Sequence, residues 1–413
     1  MNNVFDGFLS TPEVLDAFSD EHFVAAMLRF EAALAVAQAR VGLIPDSAAQ
    51  SIVGTCKVEL FDVAKIVRET ARVGSIAIPL VKSLKETVGL FNPDAVPFVH
   101  HGTTSQDVVD TAMVLVTQEA LRCIEDDVAR AVASLLATST QHAATPMLAR
   151  TLMQPASVTS FGLKCAGWAA PLVRSLQRLR ATAPQALQLQ LGGAVGTLAE
   201  MQGRGAEVAV SMARDLGLAV PLGAWHTQRD EWVALGCELG LLTGSLGKIA
   251  RDLALLSQFE VAELAEPELP GRGGSSTMAH KHNPVASMVA LAAAQRAPHR
   301  VAALLASMPH ENERALGNWQ AELAEWPELV MATHGSARAL AQALADLRVD
   351  APRMRANLDA VRASLPRAQA KQWFDPALVA HAAELARAQC ARLAAAGAAR
   401  QRGAVTQLSS SAQ

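Results

Sequence analysis

Charge is scarce in this chain. Lys, Arg, Asp and Glu make up 18% of its 413 residues, against roughly 25% in an average soluble domain. Hydrophobic residues reach 51%. So few charges point to surface that is buried between subunits. The net charge of −3 argues against a broad basic face for nucleic acid or an anionic membrane. A small anionic ligand would have to be met by local basic residues instead.

Other features are missing too. The five cysteines (Cys56, Cys123, Cys165, Cys237, Cys390) are odd in number and form no C-x-x-C pair. This argues for reduced core thiols in a cytoplasm, and against a disulfide framework or a zinc site. No Cys/His group has metal-ligand spacing, so neither metal nor cofactor is expected. The opening Met-Asn-Asn-Val-Phe-Asp has no basic flank and no apolar core, so no signal peptide is expected. The apolar run at 239–246 is closed by Glu238 and Lys248 and is too short to span a bilayer. Alternating β-branched patterns are absent, which predicts little sheet.

What is present is helical. Thr11-Pro12-Glu13 reads as a helix start. Residues 20–41 carry apolar positions at Phe23, Met27, Phe30 and Leu34, and Gly42 with Pro45 ends them. Residues 60–90 look helical with breaks near Gly74 and Pro79. Three long runs follow, from Val108 to Thr145, from Ala156 to Thr182, and from about Gln228 to Ala265. Helices this long read as a bundle. In the last, Gly236, Gly240 and Gly244 recur every four residues, as a face closely approached by a neighbouring backbone would. The expected organisation is an all-α fold. An N-terminal helical domain (1–107) precedes a central helix bundle (108–345) and a small C-terminal helical domain (346–400), with a disordered tail at 401–413.

Four stretches carry chemistry. Gly271-Arg272-Gly273-Gly274-Ser275-Ser276-Thr277-Met278-Ala279-His280-Lys281-His282-Asn283-Pro284 joins two probable helices. Its glycines make it mobile, and its hydroxyl, cation and amide suit a lid closing on an anion. Val99-His100-His101-Gly102-Thr103-Thr104-Ser105-Gln106-Asp107 leads into the first long helix. Thr104 and Ser105 then sit at a helix N-terminus, which favours a carboxylate. Arg150-Thr151-Leu152-Met153-Gln154 and Trp225-His226-Thr227-Gln228-Arg229-Asp230 complete the set. Arg229 could touch substrate or pair with Asp230 or Glu231, and Arg314 could bind a carboxylate or pair with Glu311. The glycines of Gly192-Gly193-Ala194-Val195-Gly196 follow no strand pattern, so a dinucleotide loop is a weak reading.

The pattern G-S-S-x-M-x-x-K-x-N-P resembles the signature loop of the fumarase/aspartase superfamily, with Ala279 where that family usually has proline. H-x-G-x-T-S-Q-D, R-T-x-x-Q and W-H-T-Q-R-D are similar to its branch of adenylosuccinate lyases and carboxymuconate cycloisomerases. The resemblance implies a homotetramer whose active sites draw on several subunits. It assigns Ser275 and His100 to catalysis. Thr104, Ser105, Thr151, Gln154, Gln228, Lys281, Asn283 and Arg314 would bind a small polycarboxylate. The implied reaction is addition of a carboxylate to a double bond giving a lactone, in protocatechuate catabolism. A fumarate-releasing lyase is the alternative, and an inactive structural homologue is a third reading. Fumarases and adenylosuccinate lyases have histidine where this chain has Leu152, and a cycloisomerase has less need of one.

Overall fold

The computed structural model describes residues 4–268, 271–274, 277–278 and 280–410. The chain is all-α, as expected. Its helices are α1 (Val4–Leu9), α2 (Pro12–Ala17), α3 (Asp20–Arg40), α4 (Asp46–Thr55), α5 (Val63–Val73), α6 (Ala77–Phe91), α7 (Ser105–Gln141) and α8 (Phe161–Ala186). They continue as α9 (Gly205–Leu216), α10 (Asp230–Leu256), α11 (Val285–Ser307), α12 (Asn318–Ala345), α13 (Ala351–Ser364), α14 (Arg367–Trp373) and α15 (Pro376–Ser410). Two short antiparallel pairs interrupt them: β1 (Pro146–Thr151) with β2 (Gln154–Ser160), and β3 (Leu264–Ala265) with β4 (Arg348–Val349).

Local chemistry sets the helix ends. Ser19 Oγ accepts the His22 amide at 3.2 Å and starts α3. Gly74, at φ 80°, ends α5 in the left-handed region. Asp350 caps α13 through the Arg353 amide at 2.8 Å. Some boundaries differ from the sequence reading. Pro79 does not break α6, because it lies in the first turn, where no intrahelical amide bond is lost. The run from Ala156 begins as strand, and α8 starts only at Phe161. There Ser160 Oγ accepts the Leu163 amide at 3.1 Å. The third run ends at Leu256, and Leu264–Ala265 is β3. At the C-terminus α15 extends to Ser410, past the point where the tail was expected to begin.

The described residues group into two compact units. The first holds residues 1–123, 179–239 and 298–331; the second holds 124–178, 240–297 and 332–413. Thus α1–α6 belong to the first and α13–α15 to the second, while α7, α8, α10, α11 and α12 contribute to both.

In the first unit the indole of Trp326 stacks on Trp232 with centroids 3.8 Å apart and donates to Thr117 Oγ1 at 2.8 Å. In the second, buried Asp127 pairs with His334 at 2.9 Å and Arg338 at 2.8 Å. Burial opposes its charge, yet these partners hold its carboxyl below the ordinary range. α10 is, by length and composition alone, able to cross a membrane, but 56% of that stretch is buried inside the protein. Of the cysteines only Cys165 is fully buried, and none of the five forms a disulfide.

The glycine face of α10 is used unevenly. At Gly236 a Cβ would come within 2.9 Å of Leu304 and 3.2 Å of Trp326, whereas at Gly244 it would meet nothing within 4 Å. A closer approach is at Gly247, outside the four-residue repeat, where a Cβ would lie 2.4 Å from that of Ala294. Gly247→Ala should therefore overpack α10 against α11 and cost about 1–3 kcal/mol, despite alanine's better helix propensity. A thermal unfolding midpoint equal to or above that of the wild type, at matched concentration, would contradict this packing.

Candidate active site

The geometry begins with one carboxylate. Asp107 stands one turn into α7 and is fully buried. Its Oδ2 accepts the Thr104 amide at 3.0 Å, as an acid three residues past an N-cap does. The same oxygen accepts the Thr103 hydroxyl at 3.0 Å and the Gly193 amide at 2.9 Å. Oδ1 accepts the Gly192 amide at 2.9 Å and His226 Nε2 at 2.7 Å. The paired glycines that could be mistaken for a phosphate loop thus wrap a carboxylate of their own chain. Only glycine fits at position 192, where a Cβ would come within 2.5 Å of Ala224 and 2.8 Å of His226.

This tie fixes the H-H-G-T-T-S-Q-D segment against the W-H-T-Q-R-D segment. Gln106 Nε2 adds a bond to the His226 carbonyl at 2.9 Å. Held this way, the start of α7 presents two hydroxyls. Arg314, in the segment between α11 and α12, donates to Thr104 Oγ1 and, at 3.3 Å, to Ser105 Oγ. Glu311 is not its partner; that carboxylate accepts the Leu316 amide at 3.1 Å.

His100, Thr104 and Ser105 line one cavity of about 570 Å³, together with Lys82 and Lys85 of α6. His100 sits in the left-handed region at φ 61°, which costs a non-glycine residue about 1–3 kcal/mol. Its Nδ1 lies 2.6 Å from Oε1 of Glu31, a residue of α3 that is 1% exposed. Burial works against charge on this ring. Glu31 outweighs it through its field and its hydrogen bond, with Asp107 in support and Lys85 opposed, so the ring titrates above an ordinary histidine. Nε2 is then the ring nitrogen left for a ligand.

The W-H-T-Q-R-D segment divides. Arg229 is buried and pairs with Asp110 at 2.9 Å and with Glu322, rather than with Asp230 or Glu231. Burial opposes its charge and the two carboxylates outweigh it, raising its pKa. Its guanidinium also lies 4.4 Å from the Trp225 ring centroid. Gln228 is exposed and lines a different, smaller cavity of about 260 Å³ with Gln185 and Trp225. Within the first unit, therefore, His100, Thr104, Ser105 and Arg314 come together and Gln228 does not join them.

In the second unit, Thr151 and Gln154 face each other across the β1–β2 turn. Leu152 and Met153 form its tip at φ 51° and 66°, and they are 97% and 69% exposed. Left-handed conformations are costly for such residues. Arg150 anchors the hairpin through a two-pronged pair with buried Glu263, at 2.8 and 3.1 Å.

The glycine-rich loop is pinned at its base. The Asn283 amide donates to the Gly273 carbonyl at 2.8 Å. Glu266 then caps α11 through the amides of Ala286 and Ser287 at 2.9 and 2.8 Å. Asn283 lines a cavity of about 670 Å³ with Arg272, His280 and His282. Lys281 is exposed. Ser275 lies outside the described residues.

Several contributors were not picked out from the sequence: Asp107, His226, Glu31 and Lys85. Glu31 had a signal, since it falls four residues after Met27 and three before Leu34 on the buried face of α3. A carboxylate on an apolar stripe needs a partner.

Residues 9–298 match a protein family described as lyase. A 3-carboxy-cis,cis-muconate cycloisomerase from Pseudomonas aeruginosa is 45% identical over 86% of this chain and 78% of its own. The crystal structure of the 3-carboxy-cis,cis-muconate lactonizing enzyme from Pseudomonas putida superposes with a TM-score of 0.82 at 38% identity. It covers 97% of this chain and 88% of that one. A nitrosuccinate lyase from Streptomyces davaonensis is 40% identical over 83% of this chain and 74% of its own.

Asp107→Asn tests the central tie. The amide replaces one acceptor oxygen with a donor, so buried N–H groups lose their partner at about 1–3 kcal/mol each. The unfolding midpoint should fall clearly, and activity should fall with it because Thr104 and Ser105 lose their support. A variant with wild-type stability and rate would remove Asp107 from this role.

Proposed function

The chain belongs to this lyase family of the fumarase/aspartase superfamily, and we propose that it is a 3-carboxy-cis,cis-muconate cycloisomerase. The observation that carries the reading is the 45% identity to such an enzyme over most of both chains. In this reaction a carboxylate oxygen of the muconate bonds to a carbon of the double bond. The adjacent carbon, α to another carboxylate, takes a proton, and the product is a lactone. Read backwards, a base removes that α-proton, and the lactone carboxylate leaves with the bonding electrons.

The intermediate holds two negative charges on one carboxyl group, so preorganised donors are needed. Lys281 and Asn283 supply them from the glycine-rich loop, and Ser275 gives and takes the α-proton. One substrate carboxylate binds at Thr104, Ser105 and Arg314, where a helix N-terminus and a guanidinium converge. His100 donates to the substrate from the same cavity. Thr151 and Gln154 bind a second carboxylate, and Gln228 is a further contact. No cofactor takes part.

Leu152 is what distinguishes the substrates. Lyases expelling an amine or hydroxide need an acid to protonate the leaving group. A carboxylate, with a conjugate-acid pKa of about 4, leaves without one. Leucine then supplies an apolar wall to a partner subunit's site, which accounts for its exposure at the hairpin tip. The assembly is a homotetramer in the cytoplasm. Leu241, Met288 and Leu305, exposed on α10 and α11, and the open Gly244 are surfaces for its partners. Light scattering should give four times the chain mass; a stable, active monomer would contradict the shared site.

The match to a nitrosuccinate lyase keeps a second reading, a lyase of another succinate derivative. Purified protein should abolish the conjugated-diene absorbance of carboxymuconate and leave adenylosuccinate intact. Ser275→Ala should slow that reaction by ~10²–10⁴. Cleavage of adenylosuccinate or nitrosuccinate with carboxymuconate untouched would replace the cycloisomerase by a lyase.

A further inference from the structure

Glu31 is a buried carboxylate with an incomplete set of partners. It is 1% exposed, its Oε1 lies 2.6 Å from His100 Nδ1, and its Oε2 is buried with no hydrogen bond. An ionised carboxylate so placed costs several kcal/mol unless a counter-charge stands beside it. The counter-charge available here is the imidazole of His100, whose side chain is 17% exposed and lines the cavity of Thr104 and Ser105.

We propose that Glu31 is a positioning residue for His100: it turns the ring, fixes Nδ1–H as a donor and keeps the imidazole cationic, so that Nε2–H meets a substrate carboxylate. This rests on reading the cavity as a carboxylate site. Without Glu31's charge the ring sheds one proton near neutrality, and Nε2 then faces an anion with a lone pair. The charged groups acting on the ring are Glu31 from α3, Asp107 from α7 and Lys85 from α6. Two carboxylates thus act against Lys85, while Lys82 and Glu86 of α6 line the same cavity. From α4, Cys56 adds no charge, because burial, with Glu31's field, pushes its thiol well above the ordinary range.

The sign of the effect follows. A ring whose pKa is raised stays protonated to higher pH than an ordinary histidine and loses its proton as pH rises through that raised value. Activity that needs the cation is then lost on the alkaline side. Glu31→Gln keeps the shape and an oxygen acceptor but removes the charge, so this loss should move to lower pH. Relative to wild type, the fall in kcat/KM should grow as pH rises, approaching ~10-fold for each pKa unit removed once the pH lies above both pKa values. It should appear mainly in KM, and Glu31→Asp should restore much of it.

Histidine labelled with ¹³C at Cε1 reads the same titration without substrate, with the His100 signal assigned by its disappearance in His100→Gln. A downward shift of that titration in Glu31→Gln supports the proposal. An unchanged titration, or a kcat/KM loss equal at all pH values, overturns it. Should Glu31→Gln fail to fold, His100→Gln decides: the wild-type alkaline limb must vanish in it, and its persistence overturns the proposal. Failure of the wild type to act on carboxymuconate would sink the functional reading, while the ring titration would still decide the role of Glu31.

Discussion

The candidate site depends on a carboxylate that faces inward. Asp107 gathers five donors from three separate stretches of chain: the turn before α7, the Gly192-Gly193 turn and the segment before α10. Without these bonds the buried amides of Gly192 and Gly193 and the buried His226 ring would lose this partner, and Asp107 would be an unsolvated charge. Their mutual satisfaction sets where Thr104 and Ser105 stand. Helix propensity alone would start α7, but it would not aim those hydroxyls at Arg314.

Around this point the first unit spends its buried charges on precision. Arg229 sits between Asp110 and Glu322, and Trp319 donates to Asp110 at 2.8 Å. These pairs are worth little as net stability. They fix the distances between α7, α10 and α12 next to the cavity. The second unit does the same on a smaller scale, with Arg150 on Glu263 and Glu266 on the start of α11. The strained apolar tip is the exception, because the described residues leave Leu152 97% and Met153 69% exposed.

Much of this was legible in the sequence. A stretch without glycine or proline gave α7 nearly in full and a proline-free one gave α10, and the T-S pair at the start of α7 lies against Arg314. The misreadings have local causes. Ala156–Ser160 reads as helix by composition, but the cap at Ser160 and the pairing with β1 are stronger than propensity. Gln228 adjoins Arg229 in sequence, yet one is exposed and the other buried, since neighbours on a chain rarely face the same way. Asp107 and Glu31 were missed for a different reason. Asp107's partners Gly192, Gly193 and His226 and Glu31's partner His100 lie far along the chain, and a single sequence does not show which distant donors a carboxylate will collect.

The most direct test is a crystal structure of the protein with the carboxymuconolactone product bound. A product carboxylate should lie within hydrogen-bond distance of Thr104 Oγ1, Ser105 Oγ and the Arg314 guanidinium, with His100 Nε2 facing the ligand. A lactone bound elsewhere, with Arg314 still closed on the two hydroxyls and the cavity empty, would contradict the assignment of this site.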